Sequence, residues 1–148
     1  MSKEQLLSSF LRGKPYQQLL QYIKTKTPCY VRELVGSAKG FVLSDIFKQT
    51  GCTLLFVGDD KEQAAYLLND LELLLGQEQV LFFPSSYRRP YQEETDNANV
   101  LLRAEVLSRL EQGVKVVVSY SEALFEKVLT RQQLDKNTLT LKRGERLS

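Results

Sequence analysis

The chain has 148 residues, of which 43% are hydrophobic and 26% are charged, and its net charge is +2. This composition is typical of a globular protein with one domain-sized core, and the small net charge gives no general reason to expect nucleic acid or a membrane as partner. With two cysteines and no histidine, the chain lacks the ligands for a closed zinc site and the base for a histidine-activated nucleophile.

The charge is unevenly distributed along the chain. Residues 1–48 carry eight Lys or Arg and three Asp or Glu, a net charge of +5, whereas residues 49–112 have a net charge of −6. The basic amino-terminal third is compatible with an anionic partner, although a solvated charged face is the commoner explanation.

Hydrophobic periodicity and turn residues predict helices that alternate with strands. Helices are predicted over residues 3–12, 15–25, 41–50, about 61–75 and 98–112, with a short one at 122–125, and strands over 29–34, 53–57, 79–83, 115–119 and 138–142. This order predicts an α/β fold: a parallel sheet of four or five strands with flanking helices, preceded by short amino-terminal helices.

Several local signals mark the ends of these elements. Asp59 or Asp60 is expected to cap the 61–75 helix and Ser121 the short one, while Gly51 and Gly76 are expected to end helices. The apolar runs predict strands buried on both faces, with Cys29 and Cys52 buried where two strands begin. Unpaired thiols and the lack of a signal peptide predict a cytoplasmic protein.

The loop between the first predicted strand and the next helix resembles a phosphate-binding loop. It consists of Gly36, Ser37, Ala38, Lys39 and Gly40. Aligning Lys39 with the lysine of the G-x-x-x-x-G-K-[ST] pattern puts Glu33 and Ala38 where glycines belong, and Gly40 where a hydroxyl holds magnesium. Two interpretations remain: a residual anion site at a helix amino terminus, or a tight turn without a ligand. Either way, no ATPase activity, cofactor or metal is expected of this chain.

An ordered set of segments resembles the amino-terminal module of bacterial transcription-repair coupling factors (Mfd). The segments are Val35–Gly40, Leu54–Val57 with Asp59, Val80–Pro84, Arg89–Gln92, the 98–112 helix with Arg103, Val116–Ser119 with Glu122–Leu124, and Leu141–Ser148. The resemblance runs from about residue 30 to the end, and residues 1–25 carry little of it.

The resemblance implies a role in nucleotide excision repair. Proteins of this family recognise stalled RNA polymerase, displace it with an ATP-driven translocase on double-stranded DNA, and recruit UvrA. The amino-terminal module is similar to the helicase UvrB but lacks a working ATP site. ATP and magnesium are therefore expected only in a downstream motor, and the main UvrA contacts are expected in an adjoining second domain.

The chain stops just after a predicted strand at 138–142 and a turn signal at Arg143 and Gly144, with no partner strand to follow. Together with the resemblance, this implies three regions in a fragment of a longer protein: an amino-terminal helical extension at 1–28, a UvrB-like α/β domain at 29–130, and the start of a second domain at 131–148. The predicted function is a non-catalytic scaffold that supports UvrA recruitment. A residual nucleotide-binding domain is one alternative. The other is a nucleic-acid-binding module that uses the basic amino-terminal third.

One aromatic and basic cluster fits the nucleic-acid alternative. It comprises Tyr87, Arg88, Arg89 and Tyr91 in the loop after the 79–83 strand. Aromatic and arginine side chains can stack on bases. The same residues are equally compatible with an ordinary surface loop, and the nearby acidic residues favour that interpretation.

Overall fold

The structure is a computed structural model that describes residues 3–87 and 97–128. Six helices and three strands follow in chain order: α1 (Lys3–Arg12), α2 (Lys14–Lys24), α3 (Ala38–Thr50), β1 (Leu54–Gly58), α4 (Lys61–Leu75), β2 (Val80–Phe82), α5 (Asn97–Glu111), β3 (Val116–Tyr120) and α6 (Ser121–Phe125). The predicted α/β fold with short amino-terminal helices is confirmed.

The three strands form one parallel sheet in the order β1-β3-β2. Leu54 of β1 and Val80 of β2 both align with Val116, so the last strand in sequence lies in the centre. All five residues of β3 are buried, which explains its unbroken apolar run of valines.

The two faces of the sheet pack against different helices. Val116 and Val118 belong to a core with Leu67 and Leu71 of α4, whereas Val117 packs with Val106 of α5 on the other face. Successive residues of a strand point to opposite faces, so the alternation along β3 places one helical layer on each side of the sheet.

The amino-terminal helices add a second cluster outside the sheet. Tyr16 and Leu20 of α2 pack against Val42 and Ile46 of α3. The Tyr16 hydroxyl also donates a hydrogen bond to the Asp45 carboxylate. The α1–α2 hairpin is therefore fastened to the α/β part through α3.

Most predicted helix ends are confirmed. The Asp60 carboxylate accepts a hydrogen bond from the Gln63 backbone N–H at 2.7 Å, and Gly51 ends α3 in the left-handed conformation. The cap predicted at Ser121 is wrong. Ser121 is the first residue of α6, and its hydroxyl donates to the Asp59 carbonyl oxygen at 3.1 Å.

The predicted strand 29–34 is also wrong. These residues have no regular secondary structure in the part of the chain that the structure describes, so three of the four or five expected strands are seen. Cys29 and Cys52 are exposed free thiols, contrary to the expected burial. The remaining strand, predicted at 138–142, lies outside the described residues.

Strand β1 was expected to be buried on both faces, but one face is open. Leu55 and Val57 are 58% and 45% exposed, whereas their neighbours Leu54 and Phe56 pack against the α4 core. Helix α5 packs over β2 and β3, as its contacts with Leu81 and Val117 show, and leaves the same face of β1 exposed. The composition of β1 signals burial but does not reveal that a helix covers only one of its faces.

Candidate functional site

The Gly36–Gly40 loop forms a turn into the amino terminus of α3. Gly36 has a φ of +56°, and Ser37 precedes the helix without a side-chain capping hydrogen bond. The Ala38 N–H donates to the Val35 carbonyl at 3.3 Å and the Lys39 N–H to the Gly36 carbonyl at 3.4 Å. These N–H groups bond the loop's own carbonyls, whereas a phosphate-binding loop directs such groups at the ligand.

Gly40 lies at the point where α3 crosses α4. It is buried, and a β-carbon at this position would be 3.0 Å from the Asp70 β-carbon and 3.6 Å from a Leu74 methyl group. The position that carries the magnesium-binding hydroxyl in the sequence pattern is thus used for close helix packing. This contact gives a structural reason for a glycine at position 40.

A shallow cavity of about 440 Å³ lies beside the loop. Its lining includes Gly36, Ser37 and Lys39 from the loop and the start of α3, and Gln63, Tyr66 and Asp70 from α4. Lys39 is half-buried and supplies a cationic group, but Asp70 brings a carboxylate to the same space. A carboxylate disfavours the phosphates of a nucleotide, so the cavity fits a surface recess better than a nucleotide site.

The cavity also lacks the donors for a metal ion. Within residues 3–87 and 97–128, no group of three or more histidine, cysteine, aspartate or glutamate side chains is close enough to hold one. The loop itself offers only the exposed Ser37 hydroxyl.

The second predicted cluster is described only at Tyr87. Its side chain is 45% exposed, and its backbone N–H donates to the Ser85 hydroxyl at 3.2 Å. Arg88, Arg89 and Tyr91 lie outside the described residues, so their grouping with Tyr87 stays a prediction.

A buried polar network, not anticipated from the sequence, occupies the carboxyl ends of β2 and β3. Arg103 of α5 is 7% exposed, and its Nη1 atom donates to the carbonyl oxygens of Pro84 at 2.7 Å and Ala123 at 3.0 Å. The guanidinium also stacks on Phe83, with 4.1 Å between Cζ and the ring centroid. This arginine joins α5 to the loop after β2 and to α6.

Glu126 completes the network from the other side. Its carboxylate lies 3.4 Å from Arg103 Nη1 and accepts hydrogen bonds from the hydroxyls of Ser85 and Ser86 and from the Ser86 N–H. Burial raises the pKa of Glu126, but the serine hydrogen bonds and the charge of Arg103 outweigh it, so the net pKa lies below the usual value. Glu126 therefore acts as a carboxylate that clamps the loop at residues 85–86.

The network leaves one donor open among the described residues. Arg103 Nη2 is buried and has no hydrogen-bond partner there. Burial lowers the pKa of Arg103, and the Glu126 carboxylate opposes that effect. The arrangement joins a charged pair to two serine hydroxyls, and its contacts connect α5, the loop after β2 and the end of α6.

By its fold, the protein is an α/β protein with a parallel sheet. A buried Arg103–Glu126 pair connects the segments that follow the carboxyl ends of β2 and β3. The transcription-repair-coupling factor of Rickettsia bellii is 31% identical over 109 residues, which cover 71% of this chain and 10% of that protein. The factor of the same name from Myxococcus xanthus is 31% identical over 126 residues, covering 79% of this chain and 10% of its own length. The chain is therefore related to the transcription-repair-coupling factors, and the resemblance seen in its sequence is confirmed.

The chain spans about a tenth of the length of these curated relatives. No family profile matches it, and no solved structure does. Among the described residues, no helix combines the length and apolar character that crossing a membrane requires.

Proposed function

We propose that this chain is a non-catalytic scaffold in transcription-coupled DNA repair. The similarity to proteins named transcription-repair-coupling factors supports the assignment to this process. The observation that supports the non-catalytic role concerns Gly40, which stands in the magnesium-ligand position of the sequence pattern. A β-carbon added at Gly40 would lie 3.0 Å from the β-carbon of Asp70. A side chain added at this position would require Asp70 to shift by a few tenths of an ångström.

In this proposal the loop shapes the domain, and ATP and magnesium bind to a motor elsewhere in the longer proteins. The α3–α4 packing and the Arg103–Glu126 clamp hold a rigid unit next to the surfaces that contact partners. UvrA is the partner whose recruitment the unit supports, through an adjoining domain. RNA polymerase and double-stranded DNA are contacted by other domains of the longer proteins.

Phosphate release tests the non-catalytic part of the proposal. The wild-type chain and a Lys39→Ala variant are incubated with ATP, magnesium and DNA, and inorganic phosphate is measured. We expect both to match the protein-free background, because the loop lacks the hydroxyl that holds magnesium. Phosphate release by the wild type that the Lys39→Ala variant loses would refute the proposal.

UvrA binding tests the recruitment part. Interferometry on immobilised UvrA compares this chain with the full-length factor of Myxococcus xanthus, of which the matched region is 10%. We expect the full-length factor to bind more tightly, since the proposed UvrA surface lies outside the α/β unit. Equal binding by the two proteins would contradict that assignment.

A further inference from the structure

The cavity between the start of α3 and helix α4 has one positive and one negative side chain in its lining. Lys39 and Asp70 both line the volume of about 440 Å³, and both are half-buried. The carboxylate lies along α3, because Asp70 Oδ2 would be 3.7 Å from a β-carbon at Gly40, the residue that follows Lys39. No ion pair joins the two side chains. We name this space the Lys39–Asp70 cavity.

Neither of these charges has a hydrogen-bond or ion-pair partner within the part of the chain that the structure describes. Two other half-buried charged groups do have one. Lys115 donates to the Glu78 carbonyl at 2.7 Å, and the Asp45 carboxylate accepts from the Tyr16 hydroxyl. A half-buried charge without a partner loses part of its hydration and gains no interaction in return. Both charges of the cavity are therefore available to a ligand.

The rest of the lining combines an apolar wall with neutral polar groups. The wall consists of Phe56 of β1, which is half-buried, and Leu67 of α4, which is buried. Ser37 and Asn69 are exposed and add a hydroxyl and an amide, and neither side chain bonds a described residue. Apolar walls with a few converging polar groups are typical of small-molecule sites, and the volume of this cavity is large enough for such a ligand.

The two charges together define the chemistry of the ligand. The Asp70 carboxylate repels phosphate groups, and the Lys39 ammonium group repels an isolated cation. A molecule with one carboxylate and one ammonium group pairs with both side chains, so that no charge is left unmatched. The apolar wall favours a hydrocarbon group on the same molecule, because contact with the wall removes that group from water.

We propose that the Lys39–Asp70 cavity binds a free α-amino acid with an apolar side chain. The ligand carboxylate accepts a hydrogen bond from Lys39, its ammonium group donates to Asp70, and its side chain contacts the apolar wall. The α3 backbone takes no part, since the N–H groups of Ala38 and Lys39 bond the loop's own carbonyls. The inference is independent of the scaffold role, which concerns partner proteins and not a small molecule.

A nuclear magnetic resonance titration of the full chain with L-leucine provides the first test. We expect saturable shifts of the backbone amides at residues 36–39 and 66–70 and of the Asn69 side-chain amide. The affinity should be on the order of millimolar, because the ligand is small and the cavity is shallow. The absence of a saturable shift up to the solubility limit of leucine would overturn the proposal. Saturable shifts confined to residues outside the cavity would do the same.

Analogues of leucine test whether the wild-type cavity requires both charges of the ligand. N-acetyl-leucine keeps only the carboxylate and leucine amide keeps only the ammonium group, so each should bind at least about tenfold more weakly than leucine. Glycine, which has both charges but no apolar group, should also bind more weakly than leucine. If N-acetyl-leucine bound as tightly as leucine, the cavity would be an anion site. Equal binding of leucine amide would make it a cation site, and either result refutes the proposal.

The two charged residues have matched controls on the surface. Lys39→Met and Asp70→Asn should each weaken leucine binding about tenfold or more, whereas Lys61→Met on α4 and Glu122→Gln on α6, both at exposed positions, should change it less than about twofold. Asp70→Asn should bind N-acetyl-leucine no more weakly than the wild type, because it removes a repulsive carboxylate. Equal effects of the cavity and control variants on leucine binding would contradict the proposal.

Discussion

Gly40 stands where a phosphate-binding loop carries its magnesium-binding hydroxyl, and in this protein it lies against Asp70 and Leu74 of α4. The sequence pattern alone identifies only a missing hydroxyl. The packing adds that a side chain at this position would meet the Asp70 β-carbon at close range. At the scale of single residues, the loop has a role in helix packing that depends on the absence of a side chain.

A Gly40→Ser substitution should destabilise the protein. The added β-carbon would be 3.0 Å from the Asp70 β-carbon, and overpacking of this kind costs about 1–3 kcal/mol. The better helix propensity of serine offsets roughly 0.5 kcal/mol. Urea unfolding should therefore show a net loss of stability, and the variant should still not bind ATP.

Ser37→Ala is the matched control for that loop. Ser37 is exposed and makes no capping hydrogen bond through its side chain, so its removal should change the free energy of unfolding by less than about 0.5 kcal/mol. If Gly40→Ser were as stable as the wild type, α3 and α4 would not be in the close contact described.

Glu126 should make the stability of the protein depend on pH. Its pKa is lowered in the folded state, so its contribution is complete above the pKa of an unfolded glutamate, about 4.3, and is lost as the pH falls through the lower folded value. At pH 7, Glu126→Gln should lower the free energy of unfolding by about 1–3 kcal/mol, because charge-assisted hydrogen bonds are lost.

Urea titrations between pH 7 and pH 3 measure this dependence. The difference in stability between wild type and Glu126→Gln should shrink below about pH 4.3, as the carboxylate becomes protonated. Glu105→Gln, at an exposed position of α5, should show little difference at either pH. A Glu126→Gln difference that stays constant down to pH 3 would rule out the ionised clamp.

At the scale of elements, Arg103 connects α5, the loop after β2 and α6. Arg103→Met should destabilise the protein by about 3–5 kcal/mol, because it leaves the Glu126 carboxylate and two carbonyls without their buried partner. Chemical denaturation measures the loss.

Arg109→Met on the same helix is the control for Arg103. Its ion pairs with Glu78 and Glu105 are exposed to solvent, and such pairs contribute at most about 1 kcal/mol. Similar losses for the two variants would show that the Arg103 network is not the main connection between α5 and the rest of the fold.

The elements also show which parts of the structure are predictable from sequence. Local signals are sufficient for the cap at Asp60 and the helix stop at Gly51, since each acts within one turn. They fail for residues 29–34, because strand propensity does not say whether a partner strand is present. They also fail for the Arg103–Glu126 network: Ser85 and Glu126 are 41 positions apart, and no spacing rule joins them.

At the scale of the whole molecule, the described chain combines a closed core with surfaces that remain open. The α4 and α5 layers cover the central strand, whereas Leu55 and Val57 of β1 and residues 28–33 are exposed to solvent. This distribution fits a unit whose interior is structural and whose surfaces serve contacts. It also fits the proposed scaffold role, in which binding partners rather than a bound nucleotide define the function.

Calorimetric titration of the full chain with ATP and magnesium tests the central claim most directly, since the claim is that the loop at residues 36–40 packs helices and holds no nucleotide. We predict no saturable heat up to millimolar ATP, for the wild type and for Lys39→Ala alike. A micromolar affinity in the wild type that Lys39→Ala abolishes would contradict the account.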